Sequence, residues 1–140
     1  MKKPKRILFL CTGNSCRSQM AEAWVRVLRA DDYEAHSAGI DPKGLDPRAV
    51  RVMEEVGVDM SRHRSKSLRA LPETDFHAVI TLCGHAEETC PFFPGDVKRI
   101  HVPFDDPPLL AERAASEEEV LRCYRRVRDE IRAFVENLDV

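Results

Sequence analysis

Short, uninterrupted apolar runs alternate along this chain with stretches in which apolar residues return every three or four positions. Lys5 to Leu10 and Ala78 to Leu82 are of the first kind and read as strands buried on both faces, and the more polar Tyr33 to Ala38 and Arg99 to Val102 read as two further strands. The second kind begins at Arg17, where Met20, Trp24, Val27 and Leu28 fall on one helical face. Asp46 can cap another helix with Pro47 at its first position, and Val50, Met53, Val56 and the terminating Gly57 fit it. Ser116, with Glu119 three residues on, forms a capping box that starts the last helix. Val120, Tyr124, Val127, Ile131, Phe134 and Leu138 make its buried stripe, and its other faces are charged and solvated. Residues 39–44 (Gly-Ile-Asp-Pro-Lys-Gly) read as a loop.

Strands alternating with helices predict an α/β fold with a four-stranded parallel sheet between helical layers, as a single three-layer domain over residues 1–140. In such folds the site lies beyond the carboxyl ends of the strands. Cys11, Cys83 and Asp106 follow the first, third and fourth strands, so all three are expected at one rim although they are distant in sequence.

Charge and composition narrow the function classes. The formal net charge is -2 and the pI about 6.2, which gives no basic field for nucleic acid. The basic start (Lys2, Lys3, Lys5, Arg6) lacks the long apolar core and small-residue cleavage site of a signal peptide, and no stretch reaches the roughly 20 apolar residues of a membrane span. A cytoplasmic monomer is expected. Five cysteines (11, 16, 83, 90 and 123) are many for a reducing compartment, so catalysis, redox exchange or metal binding explains them better than structural disulfides. Cys123, one place from the buried Tyr124, reads as structural. The histidines suggest no metal site: His85 reads as solvent-facing, and Arg62-His63-Arg64 as surface, at most fringing an anion pocket.

Chemistry concentrates at Cys11-Thr12-Gly13-Asn14-Ser15-Cys16-Arg17-Ser18, a C-x5-R-S segment between a strand and a helix. A tight loop here would turn its N–H groups inward as an anion nest, and the following helix adds its N-terminal donors and dipole. Arg17 offers a planar fork that matches a tetrahedral oxyanion. Gly13 is expected to relieve the turn and Asn14 to tolerate left-handed dihedrals. Thr12 to Cys16 thus form the oxyanion cradle. The same surroundings should favour the Cys11 thiolate, with Ser18 donating to the sulfur. Cys16 shares them and is expected to be open to oxidation. A zinc site at Cys11 and Cys16 would need a second ligand pair at proper spacing and would face Arg17.

The loop, with Gln19-Met20-Ala21-Glu22 behind it, resembles the thioredoxin-coupled arsenate reductases, a family that shares the low-molecular-weight tyrosine phosphatase fold. The resemblance runs through Ser37-Ala38-Gly39-Ile40, Thr81-Leu82-Cys83, Cys90-Pro91 and Phe104-Asp105-Asp106-Pro107. It implies reduction of arsenate to arsenite without a cofactor. Cys11 attacks arsenic while Arg17 and the loop hold the oxygens. Asp106, the aspartate before proline, is then the general acid rather than Asp105. Cys83 and Cys90 carry the oxidising equivalents away to thioredoxin, with glutathione systems as the alternative reductant. Asn14, Glu22 and Ser37 match positions that steady the loop, in some members through potassium. An acidic residue of that ion site corresponds to Lys66 here, so no potassium requirement is expected.

Spacing adds a constraint to that relay. Neighbouring strands lie about 4.8 Å apart, so Cys11 and Cys83 can approach. A helix from Cys83 to Cys90 would part their Cα atoms by about 10.5 Å, beyond the roughly 4.4–6.8 Å of a disulfide. Residues 83–91 are therefore expected to be irregular or to rearrange on oxidation. Two other functions compete: a low-molecular-weight phosphatase, which needs no second thiol, and a non-enzymatic thiol redox sensor. Phosphate should compete for the site in any case, and weak phosphatase activity is expected.

Overall fold

The computed structural model describes residues 3–71, 75–84 and 96–140. Four strands, β1 (Lys5–Cys11), β2 (Tyr33–Gly39), β3 (Ala78–Thr81) and β4 (Lys98–His101), form one sheet in the order β2-β1-β3-β4, every pair parallel. The interior strands are the apolar ones: Ile7 to Leu10 of β1 and Ala78 to Ile80 of β3 are buried. β4 lies at the edge, where Lys98, Arg99 and His101 are exposed and discourage pairing with another chain.

Helices flank the sheet: α1 (Arg17–Leu28), α2 (Pro47–Glu54), the short α3 (Pro107–Ala111) and α4 (Glu117–Glu136). A 3-10 turn covers Leu68–Ala70. No helix among the described residues is long and apolar enough to cross a membrane. Both predicted caps form. The Asp46 carboxylate accepts from the Arg48 N–H at 2.9 Å, and the Ser116 hydroxyl accepts from the Glu119 N–H at 3.2 Å. Glu119 reaches back to the Ala115 N–H, one residue ahead of the cap.

Two apolar positions assigned to helical core faces are on the surface. Val27 is 57% exposed because α1 is wedged between the sheet and α4, burying Ser18 through Val25 and leaving its last turn in water. Val56 is 39% exposed because α2 stops at Glu54, and Val52 takes the core place instead. Gly57 ends that turn with φ +81°. In α4, Phe134 is only half-buried, edge-on to Phe104, while Leu121 and Val135 join the buried stripe. The short α3, after Asp106, was not anticipated from the sequence. Cys90, His85 and most of the 83–91 segment expected to rearrange lie outside the described residues.

Arg29, just past α1, binds the far end of the fold. Its guanidinium donates to the carbonyls of Val135, Glu136 and Leu138 at 3.1, 3.3 and 2.9 Å, answering acceptors that the end of α4 leaves open. It also lies over the Tyr33 ring, 5.1 Å from the centroid, and the Tyr33 hydroxyl donates to Leu138 O. Arg29→Ala should lower unfolding stability by about 1–3 kcal/mol. A urea titration with an unchanged midpoint would contradict that role.

Candidate active site

The carboxyl rim of the sheet gathers the predicted residues. Cys11 ends β1, Cys83 follows β3, and Asp106 is the residue from which α3 starts after β4. Residues 12–16 cross between β1 and α1 as an open ring, and the orientation of that ring is set by where its carbonyls go. The carbonyls of Cys11, Thr12, Gly13 and Ser15 accept from the N–H groups of Ile40, Asp41, Lys43 and Asp46 at 3.1, 2.8, 2.9 and 3.0 Å. The Asn14 carbonyl accepts from Gln19 Nε2 at 3.0 Å, and Ser65 Oγ also donates to Gly13 O. In a trans peptide the next N–H points opposite to the carbonyl. Every carbonyl from 11 to 15 is held outward, so the N–H groups of Thr12 through Cys16 converge inward, and none of them donates to another described residue. This is an anion nest extended by the first turn of α1.

Asn14 occupies the left-handed position, φ 47°. Gly13 does not, and it relieves the turn by its missing Cβ rather than by its φ. A Cβ there would stand 3.1 Å from Lys43 Cγ, so Gly13 makes room for the lysine stem. The Asn14 side chain is fully buried and orders Cys11 through Ser18. Its Nδ2 donates to Ser18 Oγ at 2.8 Å, leaving the single Ser18 proton for Cys11 Sγ, also at 2.8 Å. Its Oδ1 accepts from Gln19 Nε2 and the Lys66 N–H, both at 2.9 Å.

Arg17 donates to Phe104 O at 3.0 Å and its other terminal nitrogen lies 3.7 Å from Asp106, tying α1 to the β4–α3 turn. Asp106 lines the cleft, whereas Asp105 turns away to Arg126 at 3.0 Å. The cleft, about 350 Å³, is lined by the loop, Arg17, Lys43, Asp106 and Pro108. At its edge Cys83 Sγ is 3.1 Å from Thr12 Oγ1. Cys11, Cys16, Cys83 and Cys123 are all free thiols. Cys16 is not the oxidation-prone thiol expected. Burial, and then the Asp46 carboxylate, push its thiol well above the usual range. Asp46 itself accepts from the Tyr124 hydroxyl at 2.6 Å, so α4 braces the second half of the loop.

Behind the loop Glu22 accepts from Ser37 Oγ at 2.7 Å and faces Arg26 at 3.1 Å, His63 at 3.6 Å and Lys66 at 3.8 Å. Burial lowers the pKa of the Lys66 ammonium, against the pull of Glu22. This set does not fit a potassium ion. The Asn14 oxygen is already taken by two donors, and the basic side chains of Arg26 and Lys66 face the Glu22 carboxylate. His63, expected at the surface, has a side chain only 10% exposed and meets Gln19 Oε1 at 2.9 Å. Its pKa is lowered, chiefly by burial. Among the described residues no group of three or more His, Cys, Asp or Glu converges as a metal site would require.

A model of the low molecular weight phosphotyrosine protein phosphatase family matches residues 6–139. The chain belongs to that family. Within the phosphatase family it is similar to proteins named arsenate reductase. That of Bacillus subtilis (strain 168) is 48% identical over 127 residues, covering 91% of this chain and 89% of the relative. That of Staphylococcus aureus (strain Newman) is 45% identical over 133 residues, 95% of each chain. A solved arsenate reductase in a phosphate-binding state superposes with a TM-score of 0.69 at 30% identity, covering 95% of both chains.

Gln19, His63, Lys43 and the Tyr124–Asp46 pair were not singled out for these roles in the sequence. Gln19 carried no local signal either: it lies off the face of Met20, Trp24 and Leu28 and is buried because α1 is covered on all sides from Ser18 to Val25.

Proposed function

We propose that the protein reduces arsenate to arsenite, and the observation that carries this reading is a second thiol, Cys83, at the edge of the oxyanion cleft. A phosphatase needs the nest, Arg17, Cys11 and an acid, but has no use for that thiol. The relatives named arsenate reductase support the same choice.

In this mechanism the Cys11 thiolate attacks arsenic, forming an S–As bond, and Asp106 protonates the departing oxygen, which leaves as water. Cys83 attacks Cys11 Sγ. The S–As pair of electrons passes to arsenic, which falls from As(V) to As(III) and leaves as arsenite, and a Cys11–Cys83 disulfide remains. Cys90 then attacks Cys83, freeing Cys11. Thioredoxin reduces the Cys83–Cys90 disulfide. Ser18, Asn14, Glu22, Ser37 and Lys66 position the loop, Lys66 standing where some members hold potassium. The protein acts as a cytoplasmic monomer in arsenic detoxification. Phosphate competes with arsenate, and slow phosphatase turnover accompanies the main reaction because the two oxyanions share shape and charge.

The test is arsenate-dependent NADPH consumption with thioredoxin and its reductase, set against glutathione and glutaredoxin. Cys11→Ser should abolish turnover, and Cys90→Ser should release about one arsenite per protein and stop. Sustained turnover by Cys90→Ser with thioredoxin would refute the relay.

A further inference from the structure

We propose that Lys43 is an anion-binding residue of the oxyanion cleft, its ammonium leaving Asp41 to pair with a bound tetrahedral dianion. The proposal rests on the oxyanion reading above and adds a residue to it.

Three observations carry it. The first is position. The Lys43 N–H donates to Gly13 O at 2.9 Å, so the residue is fastened to the middle of the nest. Its stem runs so close to Gly13 that a Cβ there would meet Lys43 Cγ at 3.1 Å, and the side chain lines the cleft. Beyond Cγ three more bonds remain, a reach of about 4 Å, enough to swing across the mouth.

The second is charge. Of the described residues lining the cleft only Arg17 and Lys43 are cationic. Arg17 already donates to Phe104 O and stands 3.7 Å from the Asp106 carboxylate, which offsets its field. A dianion entering this cleft gains from a second positive charge, and among the described residues of the lining Lys43 can supply it.

The third is how weakly the ammonium is committed. It pairs with Asp41 at 2.6 Å, but both side chains are largely in water, 64% and 65% exposed. An ion pair so exposed contributes little, whereas a dianion held by inward N–H groups in a partly closed cleft offers a stronger partner. The Asp41 N–H donates to Thr12 O at 2.8 Å, so the competing carboxylate is fastened beside the same cleft. Asp41 and Lys43 thus act in opposition: one repels the anion and detains the cation that the other supplies.

The experiment is calorimetric titration of inorganic phosphate into the reduced protein at fixed ionic strength. Lys43→Gln, which keeps the backbone N–H and the stem out to Cδ, should raise Kd about 10-fold. Lys43→Arg should restore it to within about threefold, and Asp41→Asn should tighten binding by a similar factor. The KM for arsenate should rise with Kd, the loss in Lys43→Gln falling on KM more than on kcat. Phosphate affinity in Lys43→Gln within about twofold of the unaltered protein overturns the proposal and leaves the oxyanion reading standing. Absence of phosphate binding by the unaltered protein overturns both.

Discussion

Gly39→Ala should destroy the oxyanion site while leaving the sheet intact. Gly39 is the last residue of β2, in register with Cys11, and its N–H donates to Lys66 O at 2.8 Å. A Cβ at this position would stand 2.8 Å from the Thr12 carbonyl oxygen and 2.9 Å from both Asn14 N and Asn14 Cβ. Two of these are backbone atoms, which cannot swing aside as a flexible side chain does. The loop must shift by roughly half an ångström to reach ordinary contact distances, and it shifts at the residues whose N–H groups form the nest. Displacements of that order in a catalytic site cost about 100-fold, and overpacking should lower stability by about 1–3 kcal/mol. Phosphate calorimetry beside far-ultraviolet circular dichroism separates the two effects. Affinity within a few-fold of the unaltered protein, with the alanine in place, would show that the loop yields without harm.

Asn14→Asp should be nearly as damaging, for an electronic reason. The substitution keeps the shape but replaces the donor that faces Ser18 with an acceptor. The single Ser18 proton, directed at Cys11 Sγ by the Asn14 amide, would turn to the new carboxylate. Cys11 loses its donor and gains a buried negative charge near its own. A buried charge without a cationic partner costs several kcal/mol, so expression and stability suffer too. Alkylation of Cys11 by iodoacetamide at neutral pH should slow at least about 10-fold, at a cost of roughly 1.4 kcal/mol in the barrier. An unchanged rate in folded Asn14→Asp protein would remove the proton-direction argument. Asn14→Ala is the control, since it deletes the donor without adding charge.

What the sequence disclosed divides by range. The strands, both helix caps and the C-x5-R loop are written in consecutive residues, and their physics is local: alternation, capping and inward N–H groups need only near neighbours. The residues that hold the loop are not written that way. Lys66 reaches Asn14 across 52 positions, and His63 reaches Gln19 across 44. Nothing in the residues around His63 or Lys43 distinguishes them from surface charges. Only the path of the chain after β2 lays residues 40–46 along the back of the loop. Gly13 and Gly39 illustrate the same limit. Both look like turn glycines, yet neither takes a positive φ, and each is required by an atom distant in sequence. The choice of Asp106 over Asp105 as the acid rests on resemblance; in space Asp106 lies 3.7 Å from Arg17, and Asp105 pairs with Arg126.

The outward pinning of the loop carbonyls has a consequence for the life of the chain before it is finished. The groups that pin them come from residues 19, 40–46 and 65, and Asn14 is further held by the Lys66 amide. At ordinary rates of synthesis these residues leave the ribosome seconds after Cys11. Until they do, residues 11–16 are a flexible polar peptide and Cys11 is an ordinary cysteine within it. The nucleophile of the proposed mechanism is thus a property of the closed domain rather than of the motif. On that mechanism a nascent or damaged chain lacks the ring of N–H groups and the Ser18 contact that serve Cys11, and protein that unfolds disarms itself.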